Sequence, residues 1–238
     1  MGEIVGFEAD GRKTDGYLAL PGSGRGPGVV VIQEWWGLVP QIKGAADRLA
    51  REGFVALVPD LFHGKTTASP DEAGKLMMAL RIDEAEQDLR GAIRYLLAHE
   101  AVTGPEMAVR PKPESLGNKK VGTIGFCMGG ALSLFAASKN AEVSACVVFY
   151  GGHPNVKPDL PNLQAPVLGL YAGNDGFVTP ESVQALDAEL TKLGKPHEFH
   201  TYPGVDHAFA NETGKNYNKA AAEDAWRRAV AFLHQHLG

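Results

Sequence analysis

The sequence predicts an α/β fold in which helices flank one doubly wound, mostly parallel sheet. Three observations lead there. Short runs rich in β-branched residues alternate along the chain with longer stretches of helical periodicity, the pattern of βαβ units. The runs GVVVIQE (28–34) and SACVVFYG (144–151) are nearly continuous in apolar residues, as strands buried on both faces must be. No internal repeat, low-complexity tract or linker interrupts the alternation, so a single domain over residues 1–238 is expected.

The elements follow in order. After the strand at 28–34, residues 41–52 carry Ile42, Ala45, Ala46 and Leu49 at helical spacing, and FVALVPD (54–60) supplies the next strand. Residues 82–98 place Ile82, Ala85, Leu89, Ile93, Leu96 and Leu97 on one helical stripe. A proline-bearing stretch, 103–119, reads as an irregular surface loop. KVGTIGF (120–126) is a third core strand, followed by a tightly packed helix from GGALSLFAAS. Strands at 144–151 and 165–173 come next. Thr179 caps a helix whose first residue is Pro180, and Val183, Leu186, Leu190 and Leu193 form its apolar stripe. HEFHTY (197–202) alternates as a last strand, and 219–237 closes the chain as a helix burying Ala222, Trp226, Val230, Leu233 and Leu237.

Composition narrows the function. With 44% hydrophobic and 21% charged residues the chain can fill a core. A net charge of -5 with no basic run gives no attraction for nucleic acid or for anionic membrane. The start MGEIVGFEAD lacks the features of a signal peptide, and no apolar run reaches the roughly 18 residues of a membrane span. Two cysteines, Cys127 and Cys146, are too few for a disulfide framework. A cytoplasmic protein with free thiols is expected. Cys146, inside a predicted strand, reads as a core residue.

Ligand sites of such sheets lie at the carboxyl ends of the strands, and three features gather there. Gly125-Phe126-Cys127-Met128-Gly129 fits G-x-nucleophile-x-G, a sharp strand-to-helix turn that lifts a side chain above the sheet. The following helix adds free backbone N–H groups and a partial positive charge, which favour a thiolate and an oxyanion. Asp175 lies past the strand at 165–173, and His207 past the last strand. Nucleophile, acid and histidine thus follow in the chain order of the α/β-hydrolases. Asp206, adjacent to His207 in the chain, would point elsewhere. The remaining histidines read as surface or turn residues.

The loop after the first core strand, QEWWG, should supply one oxyanion-hole amide, that of Trp35, with Met128 supplying the other. Glu34 is unusual: a carboxylate closing an apolar strand beside a thiol disfavours the thiolate, so Glu34 could hold Cys127 as unreactive S–H until substrate displaces it. Trp36, Tyr150, Phe177 and Phe209 stand near strand ends and are candidate substrate contacts. A non-hydrolytic thiol protein, redox-active or small-molecule-binding, is the alternative from another class. A dinucleotide-binding oxidoreductase fits worse, because GFCMGG does not satisfy G-x-G-x-x-G and lies in mid-chain.

Together QEWWG, GFCMGG, GNDGFVTP and YPGVDHAFA resemble the dienelactone hydrolase (carboxymethylenebutenolidase) family, over nearly the whole chain from about residue 15. The resemblance implies an α/β-hydrolase fold without a large lid, usually monomeric and cytosolic, needing no metal or other cofactor. It implies hydrolysis of lactones or activated carboxylic esters through an acyl-thiol intermediate. Cys127 would be nucleophile, His207 general base and acid, Asp175 its orienting partner and Glu34 the gating carboxylate. The chain departs from the family where substrate is read. Asn211 stands four residues after His207, where well-known members bind a substrate carboxylate with arginine. No second arginine occurs in 69–80, and Arg81 falls late. Asn211 is therefore counted among the candidate substrate contacts, and a neutral ester or lactone is as plausible as a carboxylate-bearing one.

Overall fold

The computed structural model describes residues 2–104 and 119–238. Its strands are β1 (Glu3–Ala9), β2 (Arg12–Ala19), β3 (Gly28–Ile32), β4 (Val55–Pro59), β5 (Val121–Phe126), β6 (Val143–Phe149), β7 (Val167–Ala172) and β8 (His197–Tyr202). The helices are α1 (Pro40–Arg51), α2 (Pro70–Ala79), α3 (Ile82–Ala98), α4 (Met128–Lys139), α5 (Pro180–Lys192) and α6 (Lys219–Leu237). All eight strands form one sheet in the order β1-β2-β4-β3-β5-β6-β7-β8. From β4 to β8 neighbours run parallel; only β1–β2 and β2–β4 are antiparallel.

The doubly wound, mostly parallel sheet expected from the sequence is what forms, and its central strands explain why. Every residue of β3, β4, β5 and β7 is buried, because helices cover both sides. One apolar core joins the sheet to residues of α2, α3, α4 and α5, and the other to residues of α1 and α6. The α3 stripe buries Ala85, Leu89, Ile93 and Leu96 as predicted. Thr179 caps α5, its hydroxyl accepting from the Ser182 amide at 3.3 Å.

Two elements escape the sequence reading. The first is the β1–β2 hairpin, whose turn places Asp10 at φ 50° and Gly11 at φ 84°. An Asp-Gly pair between alternating segments is the sequence mark of such a turn. It is tied down by a polar residue inside α3: the buried Asp88 carboxylate accepts from Thr14 Oγ1 at 2.7 Å and Arg12 at 3.2 Å. The second is α2, which starts at Pro70 after Ser69. The stretch expected as a surface loop, 103–119, falls at 105–118 outside the described residues.

The chain order reverses at β3, which has β4 on one side and β5 on the other. Such a switch point opens a crevice at the strands' carboxyl ends. The register pairs Ile32 with Gly125, so the residues two further on, Glu34 and Cys127, leave the sheet side by side.

The bend after β5 depends on glycine. Cys127 itself sits at φ 54°, ψ -119°, a region costing a non-glycine residue about 1–3 kcal/mol. A Cβ at Gly125 would overlap the Gly129 carbonyl. Gly125→Ala should therefore lower unfolding free energy by about 3 kcal/mol or more. Gly11→Ala meets no neighbour and should cost only about 1–2 kcal/mol for its left-handed φ. Urea unfolding of both variants checks the contrast, and equal losses would contradict it.

Candidate active site

The bend is fastened by its neighbours. Cys127 N–H donates to the Phe149 carbonyl at 3.0 Å, while the Cys127 carbonyl accepts from Gly130 at 2.9 Å and from Gly152 at 3.2 Å. The thiol is 7% exposed and faces a cavity of about 680 Å³. It is therefore shielded from bulk water yet open to a ligand.

His207 and Asp175 reach the same point from the loops after β8 and β7. His207 Nε2 lies 3.2 Å from Cys127 Sγ, and Nδ1 lies 2.6 Å from Asp175 Oδ2. The other Asp175 oxygen accepts the backbone N–H groups of Phe177 and Val178, both at 2.8 Å. Burial alone would raise the Asp175 carboxyl, but the His207 bond and these amides outweigh it and hold it below the ordinary value. Asp175 thus stays ionised and fixes the ring. Asn216 donates to the His207 carbonyl at 2.9 Å, and the Tyr150 and Phe177 rings stand edge-on to the imidazole at 5.2 and 5.5 Å.

Glu34 is buried, 3% exposed, at the cavity wall. Asn211 Nδ2 donates to Oε2 at 2.6 Å, and the Tyr150 hydroxyl donates to Oε1 at 3.4 Å. Burial lifts the carboxyl to about 7, against the opposing effects of the Asn211 bond and of His207. Burial also pushes the Cys127 thiol well up, and the Glu34 charge adds to it, opposed by the Met128 amide. A neutral thiol beside a neutral or anionic Glu34 is the resting arrangement that these fields favour.

Of the residues expected to contact substrate, Trp36, Phe177 and Asn211 line the cavity, as does Trp35. Asn211 is committed elsewhere, however: its amide nitrogen holds Glu34 and its oxygen accepts from Thr213 N–H and Oγ1 at 3.0 and 2.7 Å. Tyr150 and Phe209 need correction. Both are 0% exposed, packed edge-on against each other at 5.2 Å, and they back the site instead of rimming it. Arg81 lies outside the cavity lining and pairs with Asp83 and Glu84 at 3.0 and 3.1 Å.

The sequence reading missed Pro70 and Met77 of α2 and the 213–216 turn, which complete the cavity wall. Helical spacing between Ala73 and Met77 was the available signal. It also missed His153, a buried residue whose Nε2 lies 3.1 Å from the Met77 carbonyl, joining α2 to the loop after β6. Among the described residues no cluster of His, Cys, Asp or Glu has the make-up of a metal site, and no helix is long and apolar enough to cross a membrane.

An eight-stranded sheet of this order, with a strained strand-to-helix bend and a histidine–carboxylate pair at its switch point, defines an α/β-hydrolase. Comparison with known proteins is more specific. The profile described as "Dienelactone hydrolase family" matches residues 14–237. "Protein usf" of Aquifex pyrophilus is 39% identical over the whole length of both chains. The Aquifex aeolicus protein named "Putative carboxymethylenebutenolidase" is 36% identical, also over the whole of both. A Klebsiella pneumoniae crystal structure named "Putative Dienelactone Hydrolase" superposes with a TM-score of 0.83 at 25% identity, covering 99% of each chain. The chain belongs to the dienelactone hydrolase family, and it is a carboxylic ester hydrolase.

Glu34 makes stability depend on pH. Its carboxyl ordinarily titrates at 4.5 and in the fold at about 7. The folded state therefore holds its proton longer, so the stability present below pH 4.5 is lost as pH rises through 7. The loss amounts to about 3 kcal/mol. Urea unfolding at pH 5 and pH 8 should show wild type falling ~2–3 kcal/mol relative to Glu34→Gln between the two. A gap that stays constant would contradict the assignment.

Proposed function

We propose that this enzyme hydrolyses lactones or activated carboxylic esters with Cys127 as nucleophile, within one catalytic domain and without a metal or other cofactor. The observation that carries the reading is the hydrogen-bonded chain from Cys127 Sγ through the His207 ring to Asp175, at 3.2 and 2.6 Å. Only a ring held at both nitrogens can take a proton from the thiol while its imidazolium form is stabilised from behind.

In the proposed cycle the Cys127 proton passes to His207 Nε2 and the sulfur attacks the substrate carbonyl carbon. The oxyanion is held by the amides of Trp35 and Met128. Collapse breaks the ester C–O bond, and His207 gives its proton to the departing alkoxide, leaving an acyl-thiol. Water then enters, His207 removes its proton as the oxygen attacks the acyl carbon, and the C–S bond breaks while His207 returns that proton to the Cys127 sulfur, releasing the carboxylic acid. The resting thiol is held neutral by burial and by Glu34. A substrate that separates the Glu34 charge from the sulfur would therefore ease ionisation, which is the gate proposed for Glu34.

The cavity lining also bears on the substrate. Lys215 is the one Lys or Arg among the described lining residues and is exposed. Where a carboxylate-binding arginine was expected, Asn211 instead spends its amide on Glu34. Trp35, Trp36, Met77 and Phe177 dominate the rest. This supports an uncharged ester or lactone, acted on as a free small molecule.

Two outcomes follow. Cys127→Ala should lower kcat for a chromogenic acetate at least about a thousandfold, and rapid-quench mass spectrometry should find one acetyl group on wild type and none on the variant. Undiminished turnover in Cys127→Ala would remove the sulfur from the mechanism. A lactone carrying a free carboxylate should show lower kcat/KM than its methyl ester, because no buried Lys or Arg among the described lining residues receives the charge; the reverse order would refute a neutral substrate.

A further inference from the structure

Resting on that reading, we propose that the space behind Phe177 is a second chamber of the substrate site, which takes a medium-length, uncharged aliphatic acyl chain. A cavity of about 420 Å³ lies there, lined by Leu134, Val148, Val156, Val183 and Leu186 among others. Among the described residues no Asp, Glu, Lys or Arg lines it. It shares one residue with the catalytic cavity, Phe177.

Phe177 is built as a partition. Its backbone is fixed, because its amide and that of Val178 both bond Asp175. Its ring is 49% exposed, stands edge-on to His207 on one side, and lies so close to Gly152 that a Cβ there would come within 3.0 Å of it. A half-exposed ring on a fixed backbone can change rotamer in picoseconds to nanoseconds without disturbing the carboxylate. Turning it joins the two spaces.

The position of the chamber fits the acyl group, which stays bonded to the sulfur, more than the departing alcohol. It is lined by Gly130, Ala131 and Leu134 of α4, the helix that begins immediately after Cys127. Gly130 and Gly152, which line it, both donate to the Cys127 carbonyl, so the chamber adjoins the residue that would carry the acyl group. Tyr171 also lines the space, and its hydroxyl, in a residue 2% exposed, has no hydrogen-bond partner among the described residues. An unpaired buried hydroxyl costs about 1–3 kcal/mol, a cost that a water retained beside the aliphatic chain would offset. His153 is not free to do so, since both ring nitrogens are engaged with Met77 and Asn155.

The test compares kcat/KM for p-nitrophenyl octanoate and acetate in wild type, Ala131→Leu and Leu186→Trp. Both substitutions fill the chamber from different helices, and both residues are only partly buried. The octanoate-to-acetate ratio should fall about tenfold in each, whereas Phe177→Ala should raise it. Reading a ratio separates loss of the chamber from loss of folded protein. A ratio unchanged in both filling variants would overturn the second chamber while leaving Cys127 chemistry intact. Turnover of acetate by Cys127→Ala at the wild-type rate would instead overturn the reaction on which the proposal rests.

Discussion

The backbone bend at Cys127 is the constraint on which the site depends. A positive φ on a residue with a side chain persists only when its surroundings over-determine it. Here they do: the Cys127 amide is bonded to the end of β6, its carbonyl to the loop beyond β6 and to α4, and the glycines at 125 and 129 let neighbouring backbones close on the turn. A Cβ at Gly129 would strike the carbonyls of Ile32 and Gln33. The same bend thus also fixes how near β3 can come, and with it the place of Glu34. Sulfur, carboxylate and helix terminus are positioned by one arrangement of main chain.

Glu34 and Asp175 show how environment divides two carboxylates between two states. Asp175 is buried but accepts from two amides and the His207 ring, so it remains ionised. Glu34 is buried with one short donor and one long one, and burial prevails. The charge near the sulfur therefore depends on pH around neutrality. Asn211 matters here more than as a substrate contact. An arginine in its place would bring a full positive charge beside Glu34 and would favour its ionised form. With an amide, the site holds less charge, in keeping with an apolar cavity wall.

The polar buttresses also link distant elements to the site. His153 bonds α2 to the loop after β6, and Asp88 ties the first hairpin to α3. Each is a buried polar group within hydrogen-bond reach of a partner across elements, which favours one arrangement over others that would leave it unpaired. The His153 bond holds α2 where Pro70 and Met77 wall the cavity.

Sequence by itself determined the sheet-and-helix alternation, the core strands and the strand-end positions of Cys127, Asp175, His207 and Glu34. These features are written in local periodicity, in glycine spacing and in the order of residues along the chain. The N-terminal hairpin was missed although its Asp-Gly turn stands in the sequence, because its edge strands lack the continuous apolar runs of the central ones. Only the tertiary structure decided that Tyr150 and Phe209 lie behind the site, that Asn211 serves Glu34, and that Phe177 divides two cavities. Those facts depend on which way a side chain turns once loops from β6, β7 and β8 meet. That choice is made by packing and hydrogen-bond satisfaction between segments far apart in the chain, for which no single segment carries a signal.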